Sequence, residues 1–181
     1  MKKKTNYILK KILPGEIKIN KFGSILTFFG PLGTSTLNLK KIDKSGIGFF
    51  FLEPVKKEIL FSTPCKIFFG TVNKIMENKI QGVTRGFLIY LRIVGIGFRA
   101  TFDKDILTLK VGFSHDIKFK IPNSIQIFLV EPTLICLYGI DLNQLSQTAA
   151  KIRHVKPPSV YKGKGIRILD EIVYIKQAKQ K

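Results

Sequence analysis

Between Lys151 and Arg167 the chain carries Lys151, Arg153, Lys156, Lys162, Lys164 and Arg167 with no acidic residue among them, together with His154 and Tyr161. Ammonium and guanidinium groups gathered in this way neutralise phosphates. Pro157-Pro158 stiffens the backbone between them, so less entropy is lost when the segment docks. Gly163 and Gly165 remove side chains where backbone N–H groups would approach phosphate oxygens, and Tyr161 offers a ring that can stack on a base or ribose. Solvated faces of ordinary domains intersperse both signs of charge. Six cations among turn-forming residues predict instead a surface that binds a polyanion.

Other chemistry is poorly supplied. Gly163-Lys164-Gly165 lacks the GxxxxGK[ST] spacing of a nucleotide loop and follows no strand. His115 and His154 lie far apart with no His, Cys or carboxylate at ligand spacing, so no metal is expected, and each reads as a hydrogen-bond donor. No nucleophile stands beside a base, and no carboxylates pair in a polar pocket. Asp103, Asp105, Asp170 and Glu171 read as solvent-facing turn formers. An enzyme is therefore not expected, nor a cofactor, nor a small-molecule substrate. Cys65 and Cys136 have neither CxxC spacing nor the numbers of a disulfide framework, and read as small buried apolar residues.

The elements that must position the basic segment are short strands and two main helices. Ile17-Lys18-Ile19 and Ser24 to Phe29 flank Lys21-Phe22-Gly23 as a hairpin, and Pro31-Leu32-Gly33 turns the chain into Thr34 to Lys40. Ile47 to Leu52 is almost wholly apolar, which predicts a strand buried on both faces. Ser62-Thr63-Pro64 announces the first helix with a capping hydroxyl and Pro at the first helical position. Phe68, Val72, Ile75 and Lys79 then recur at helical spacing, and Gly82 is a suitable stop. Six strands follow, over Phe87 to Gly97, Phe98 to Phe102, Ile106 to Gly112, Ile117 to Ile121, Ile125 to Val130 and Thr133 to Tyr138. Asp141 caps a second helix, with Gln144 placed for a capping box. Leu142, Leu145, Ala149 and Ile152 share one face, and Pro157-Pro158 ends it at the latest.

Antiparallel strands followed by one helix thus occur twice. The expected fold is α+β, two similar domains in tandem over 1–82 and 83–181, each an antiparallel sheet packed against one main helix, with the basic loop and tail in the second.

Composition agrees with a polyanionic partner. Against 12 Asp and Glu stand 31 Lys and Arg, a formal net charge of +19, while 45% hydrophobic residues suffice for a core. A compact body with that excess repels itself, and binding phosphates relieves the repulsion while releasing counterions. The two most apolar stretches, Gly86 to Phe102 and Ser124 to Leu142, are broken by Arg92 and Arg99 and by Glu131-Pro132, so no membrane span is expected. The Met1-Lys2-Lys3-Lys4 start is not followed by an h-region and lacks the bias of a transit peptide, so no targeting segment is expected.

Three groups of residues resemble one family, the bacterial-type large-subunit ribosomal protein L-six. Arg153-His154-Val155-Lys156-Pro157-Pro158 through Tyr161-Lys162-Gly163-Lys164-Gly165-Ile166-Arg167 is similar to its C-terminal signature. Val94-Gly95-Ile96-Gly97-Phe98-Arg99-Ala100 with Val111-Gly112-Phe113-Ser114-His115 resembles its glycine-rich strand pair. Phe69-Gly70-Thr71 and Gly82-Val83-Thr84-Arg85-Gly86 make the third. The likeness is strong from about Cys65 onward, and before it only Gly30-Pro31-Leu32-Gly33 aligns. Ser159-Val160 departs from the family's usual acidic residue and proline.

The resemblance implies two copies of a sheet with a packed helix. It also implies binding to large-subunit rRNA near the sarcin–ricin loop, by the translation-factor site, mostly through the C-terminal domain and beside neighbouring large-subunit proteins. Carried over, it assigns rRNA contact to Arg153, Lys156, Tyr161, Lys162, Gly163 and Lys164, with Arg99, Ser114 and His115 as secondary positions; Lys151 and Arg167 join them from the charge pattern. Arg is confined to five positions, and Lys, Ile, Phe and Asn, whose codons are AT-rich, abound. That bias predicts an organelle-encoded protein of a mitochondrial ribosome, with a plastid or an AT-rich bacterium as alternatives. The rival functions are a free RNA-binding assembly factor and a basic protein of anionic membrane surfaces. The second would favour a helix with a dense cationic face, which neither helix has.

Overall fold

The computed structural model describes residues 7–12, 14–43, 46, 48–53 and 58–176, which divide into two units, Met1–Gly86 and Phe87–Lys181. The Lys2 to Lys4 run and Ile47 lie outside the described residues.

Unit 1 runs β1 (Tyr7–Ile12), β2 (Lys18–Phe22), β3 (Ile25–Gly30), β4 (Gly33–Asn38), the short helix α1 (Leu39–Ile42), β5 (Phe49–Glu53), β6 (Glu58–Thr63) and α2 (Lys66–Thr84). The β2–β3 hairpin turns at Gly23, whose φ of 56° suits glycine. β4 extends it into the antiparallel sheet β2-β3-β4, while β1, β6 and β5 form a second sheet in the order β1-β6-β5. The alternation of β3 buries Leu26 and Phe28. From β6, Ile59 and Phe61 are fully buried, and Phe61 meets Phe68 of α2 edge to face at 5.7 Å between centroids. Helix α2 closes this core with Val72, Met76 and Val83.

Three expectations need correction here. The apolar run in β5 is not buried on both faces: β5 is a sheet edge, and Phe49 and Phe51 are 74% and 60% exposed. An uninterrupted apolar string cannot say whether a second layer exists to cover it. Pro64 lies outside α2, whose N-cap is Cys65; the Thr63 hydroxyl accepts the Cys65 N–H at 3.4 Å, so the local turn ends one step before the helix begins. Nor does Gly82 stop α2. The helix continues to Thr84, and Gly86, at φ 72°, donates its N–H to the Gly82 carbonyl at 3.1 Å.

Unit 2 repeats the order: β7 (Phe87–Val94), the antiparallel meander β8 (Arg99–Asp103), β9 (Ile106–Lys110) and β10 (Ile117–Lys120), then β11 (Ile125–Glu131), β12 (Leu134–Gly139) and α3 (Leu142–Val155). A final strand, β13 (Gly165–Ile168), extends the larger sheet to β11-β12-β7-β13. Within that sheet β7-β12-β11 reproduces β1-β6-β5 of unit 1, and β8–β10 reproduces β2–β4. The fold is α+β, with two similar domains in tandem, each pairing two antiparallel sheets with a main helix. The core of unit 2 joins Leu91 and Ile93 of β7, Leu107 and Leu109 of β9, Leu137 of β12, Ile166 of β13, and Leu145, Ala149 and Ile152 of α3.

Asp141 caps α3 as expected, accepting the Asn143 N–H at 3.1 Å. Gln144 does not close a capping box, because its side chain instead accepts the Ser124 hydroxyl at 2.8 Å. Cys136 is buried and Cys65 half-buried, and both are free thiols. Among the described residues no helix is long and apolar enough to cross a membrane.

Candidate nucleic-acid interface

Helix α3 ends at Val155, where Pro157 and Pro158 can no longer donate to it, and the chain crosses to β13 through a closed loop. The Ser159 N–H donates to the Lys164 carbonyl at 2.9 Å and the Gly163 N–H returns to the Ser159 carbonyl at 2.8 Å. At the base of the loop the Ile166 N–H binds the Lys156 carbonyl at 2.7 Å. Gly165 is what lets the loop shut: a Cβ there would lie 2.6 Å from the Pro157 carbonyl oxygen. At the tip, Gly163 takes φ 67°, a conformation other residues rarely adopt. These bonds leave Tyr161 65% exposed, and Lys162 and Lys164 exposed beside it. Lys151 and His154 are exposed on α3, while Lys156 and Arg167 are half-buried.

The part of the segment after the helix is therefore not all loop, as the sequence suggested. Gly165–Ile168 is a strand, with Gly165 opposite Val94, Ile166 opposite Ile93 and Arg167 opposite Arg92 of β7. Burying Ile166 completely anchors the loop to the core. Four-residue strands leave almost no periodic signal, and the basic residues on either side hid this one.

A second anchor was misread in the sequence. Glu171 is no solvent-facing turn former; it takes a two-pronged ion pair from Arg153, with Arg153 Nε donating to its Oε2 at 2.7 Å. The Ile168 N–H also donates to it, at 3.3 Å. The Arg153 hydrogen bonds hold the Glu171 carboxyl below the usual carboxylate range, outweighing burial, with help from the Ile168 N–H and from the Arg153 and Arg167 charges. The same bonds raise Arg153 further above its ordinary value. Arg153 thus fastens α3 to the chain beyond β13. The Arg167 Nε is buried without a hydrogen-bond partner.

The glycine-rich strand pair meets this loop. Lys156 Nζ sits 4.5 Å from the centroid of the Phe113 ring, a cation–π contact that ties the end of α3 to the β9–β10 connection. Gly165 pairs with Val94, the residue before Gly95-Ile96-Gly97. The Phe98 ring fills the space that side chains at Gly95 and Gly112 would need, at 2.5 and 2.9 Å from their would-be Cβ atoms. Arg99, Ser114 and His115 are exposed around this packed ring. Arg99 lies opposite Lys110 in the β8–β9 register, and Lys110 is paired with Asp116 at 3.2 Å. Two stretches far apart in sequence therefore join in one cationic region of unit 2. Phe113 and Glu171, which sequence reasoning did not select, hold it together. Among the described residues no cluster of His, Cys, Asp and Glu could hold a metal ion.

A family model described as ribosomal protein L6 matches residues 94–168, from the last residue of β7 to the last of β13. Along its whole length the chain has a relative in Prototheca wickerhamii, large ribosomal subunit protein uL6m, 43% identical over 98% of this chain and 100% of the relative. The chain belongs to the ribosomal protein L6 family. Bacterial members named large ribosomal subunit protein uL6 are similar as well. That of Dichelobacter nodosus is 37% identical over 93% of this chain and 94% of its own, and that of Burkholderia thailandensis 39% over 88% and 89%. The L6 family is structural and non-enzymatic, and this member is not an enzyme.

Proposed function

We propose that this L6-family chain is a structural constituent of a large ribosomal subunit, and that residues 83–181 bind its rRNA near the sarcin–ricin loop and the translation-factor site. One observation carries the reading: a loop already closed by its own backbone hydrogen bonds holds Tyr161, Lys162 and Lys164 outward, in the unit that the family model matches. Lys162, Lys164 and Lys151 supply charge to phosphates, the N–H groups around Gly163 approach the backbone, and Tyr161 stacks on a base or ribose. Lys156 contributes charge while its stem stays packed on Phe113. Arg99, Ser114, His115 and Arg167 extend the contact, and Arg153 serves it by clamping Glu171. The particle is a mitochondrial ribosome, in keeping with the uL6m relative and with the AT-rich codon bias of an organelle gene.

The test is sedimentation of large subunits in high salt. The chain stays with the particle, whereas a Lys151→Glu, Lys162→Glu, Lys164→Glu variant is lost from it with its circular dichroism unchanged. Retention of that variant would refute the reading.

A further inference from the structure

Residues that face each other across a ladder share one side of the sheet, so the registers of β11, β12, β7 and β13 fix the side turned away from the core of unit 2. Ile127, Leu137, Leu91 and Ile166 enter that core. Their neighbours along each strand point the other way and form three rows. Gln126, Tyr138 and Leu88 make the first, Phe128, Cys136 and Tyr90 the second, and Glu131, Leu134, Arg92 and Arg167 the third. Phe128 and Leu88 are 53% and 55% exposed and Arg92 is exposed, while Tyr90, Tyr138 and Arg167 are half-buried. These three rings and two arginines take no part in the core.

Arg92 and Arg167 stand directly opposite each other. Like charges so placed destabilise a ladder, and an anion between them removes the cost. Among the described residues neither is in an ion pair, and the Arg167 Nε has no acceptor. Glu131 shares their row but is separated from Arg92 by Leu134 of β12. Glu171 feels the Arg167 charge, yet its oxygens already hold Arg153 and the Ile168 N–H. Arginine fills only five of the 31 cationic positions of the chain, so two of them meeting here is not what its lysine-rich composition supplies by default. The planar guanidinium takes phosphate oxygens two at a time and stacks on rings, which an ammonium does not do.

We propose that this face is a stacking platform for unpaired nucleotides of the large-subunit rRNA, with bases on Phe128, Tyr90 and Tyr138 and a phosphate between Arg92 and Arg167. Rings laid out on a sheet suit unpaired bases, whose faces are free to stack, and not the bases of a duplex. The platform adjoins the basic loop. Arg167 lies three residues beyond Lys164, about 10 Å along an extended chain, and β13 begins between them. RNA held at the loop therefore reaches the arginine couple. The inference rests on the proposed function for its partner, and adds to it a class of nucleotide and a second set of contacts. An apolar protein surface, the rival occupant, fits the rings and Leu88 but not the unpaired arginines at the end nearest the loop.

Equilibrium binding of the full chain to large-subunit rRNA tests this, because RNA is then the sole partner present. Phe128→Leu keeps an apolar side chain but removes the ring, and should weaken binding about tenfold, the loss of one stacked base. Phe128→Tyr keeps the ring and should bind as the unaltered chain does. Arg92→Lys, which retains the charge and loses the fork, should also weaken binding. Both positions are exposed, so the denaturation midpoint should stay where it is. In assembled large subunits, a photoreactive residue in place of Leu88 should attach to nucleotides outside rRNA helices. Equal affinity of Phe128→Leu and the unaltered chain, or attachment to protein or to duplex RNA, would overturn the proposal. If Lys162→Glu, Lys164→Glu loses affinity while Phe128→Leu does not, the platform is refuted and the basic-loop reading stands; no loss in either variant ends both.

Discussion

Arg153 and Glu171 join α3 to the chain beyond β13 by a two-pronged ion pair. Their side chains are 28% and 24% exposed, so water screens the fork only partly. The Glu171 carboxyl titrates lower folded than unfolded, so its stabilisation is fully present above the unfolded carboxylate value. It is lost as pH falls through the lower, folded one. Glu171→Gln should cost about 1–3 kcal/mol near neutral pH, the worth of charge-assisted hydrogen bonds in such a setting. In chemical denaturation measured from pH 7 down to strong acid, the gap between the two proteins should close on the acid side; a gap independent of pH would contradict this. Gly165→Ala tests the close approach of the backbone. At φ 144°, with a would-be Cβ 2.6 Å from the Pro157 carbonyl, the change should destabilise unit 2 by more than about 1 kcal/mol and loosen the loop. Amide exchange at Ser159 and Gly163 reads that loosening directly. The cationic residues were legible from sequence because an absence of acid over Lys151 to Arg167 is a local property. Glu171 was not, because its partner Arg153 reaches it only after the chain has folded back.

At the scale of elements, β13 couples core and surface. Ile166 is fully buried between β7 and α3, so Ile166→Ala should cost about 2–5 kcal/mol in a urea titration, with the loop losing its order as well. By contrast, Lys162 and Lys164 are exposed on the far side of the same loop, and their replacement by Glu should leave the denaturation midpoint nearly unchanged. A matching loss of stability would mean that these lysines support the fold and not a ligand. Some strands were readable because apolar and polar residues alternate in them, as in β9 and β10, and others, such as β12, from short runs of β-branched and apolar residues. The helices were readable from the spacing of Phe68, Val72, Ile75 and Lys79 and of Leu142, Leu145, Ala149 and Ile152. Their ends were less so. Gly82 reads as the stop of α2 in sequence, and only the hydrogen bonds from the Gly86 N–H back to Gln81 and Gly82 show that the helix runs on to Thr84. The short helix α1 and strand β13 are too brief for either period to register.

For the whole molecule, the net charge of +19 is the property with the longest reach. If the chain neutralises about six phosphates, the logarithm of its rRNA affinity should fall with the logarithm of salt concentration at a slope of roughly −4 to −5. Filter binding of the full chain to a large-subunit rRNA fragment across a salt series measures it, and a flat response would exclude phosphate neutralisation as the source of affinity. The Lys162→Glu, Lys164→Glu variant should show a shallower slope, since each lost phosphate contact removes just under one unit.

Sequence by itself determined the α+β class, the doubling of a strand-rich block with its helix, and the family, because periodicity, capping chemistry and local motifs are carried by neighbouring residues. Tertiary structure decided which cations stay free and which are spent on the fold: Lys162 and Lys164 stand outward, while Arg153 is held by Glu171 and Lys156 by Phe113. It also decided that β5 is an edge and that Gly165–Ile168 is a strand paired with β7. Those outcomes depend on which surfaces meet when distant segments pack, and no window along the chain contains both members of such a pair.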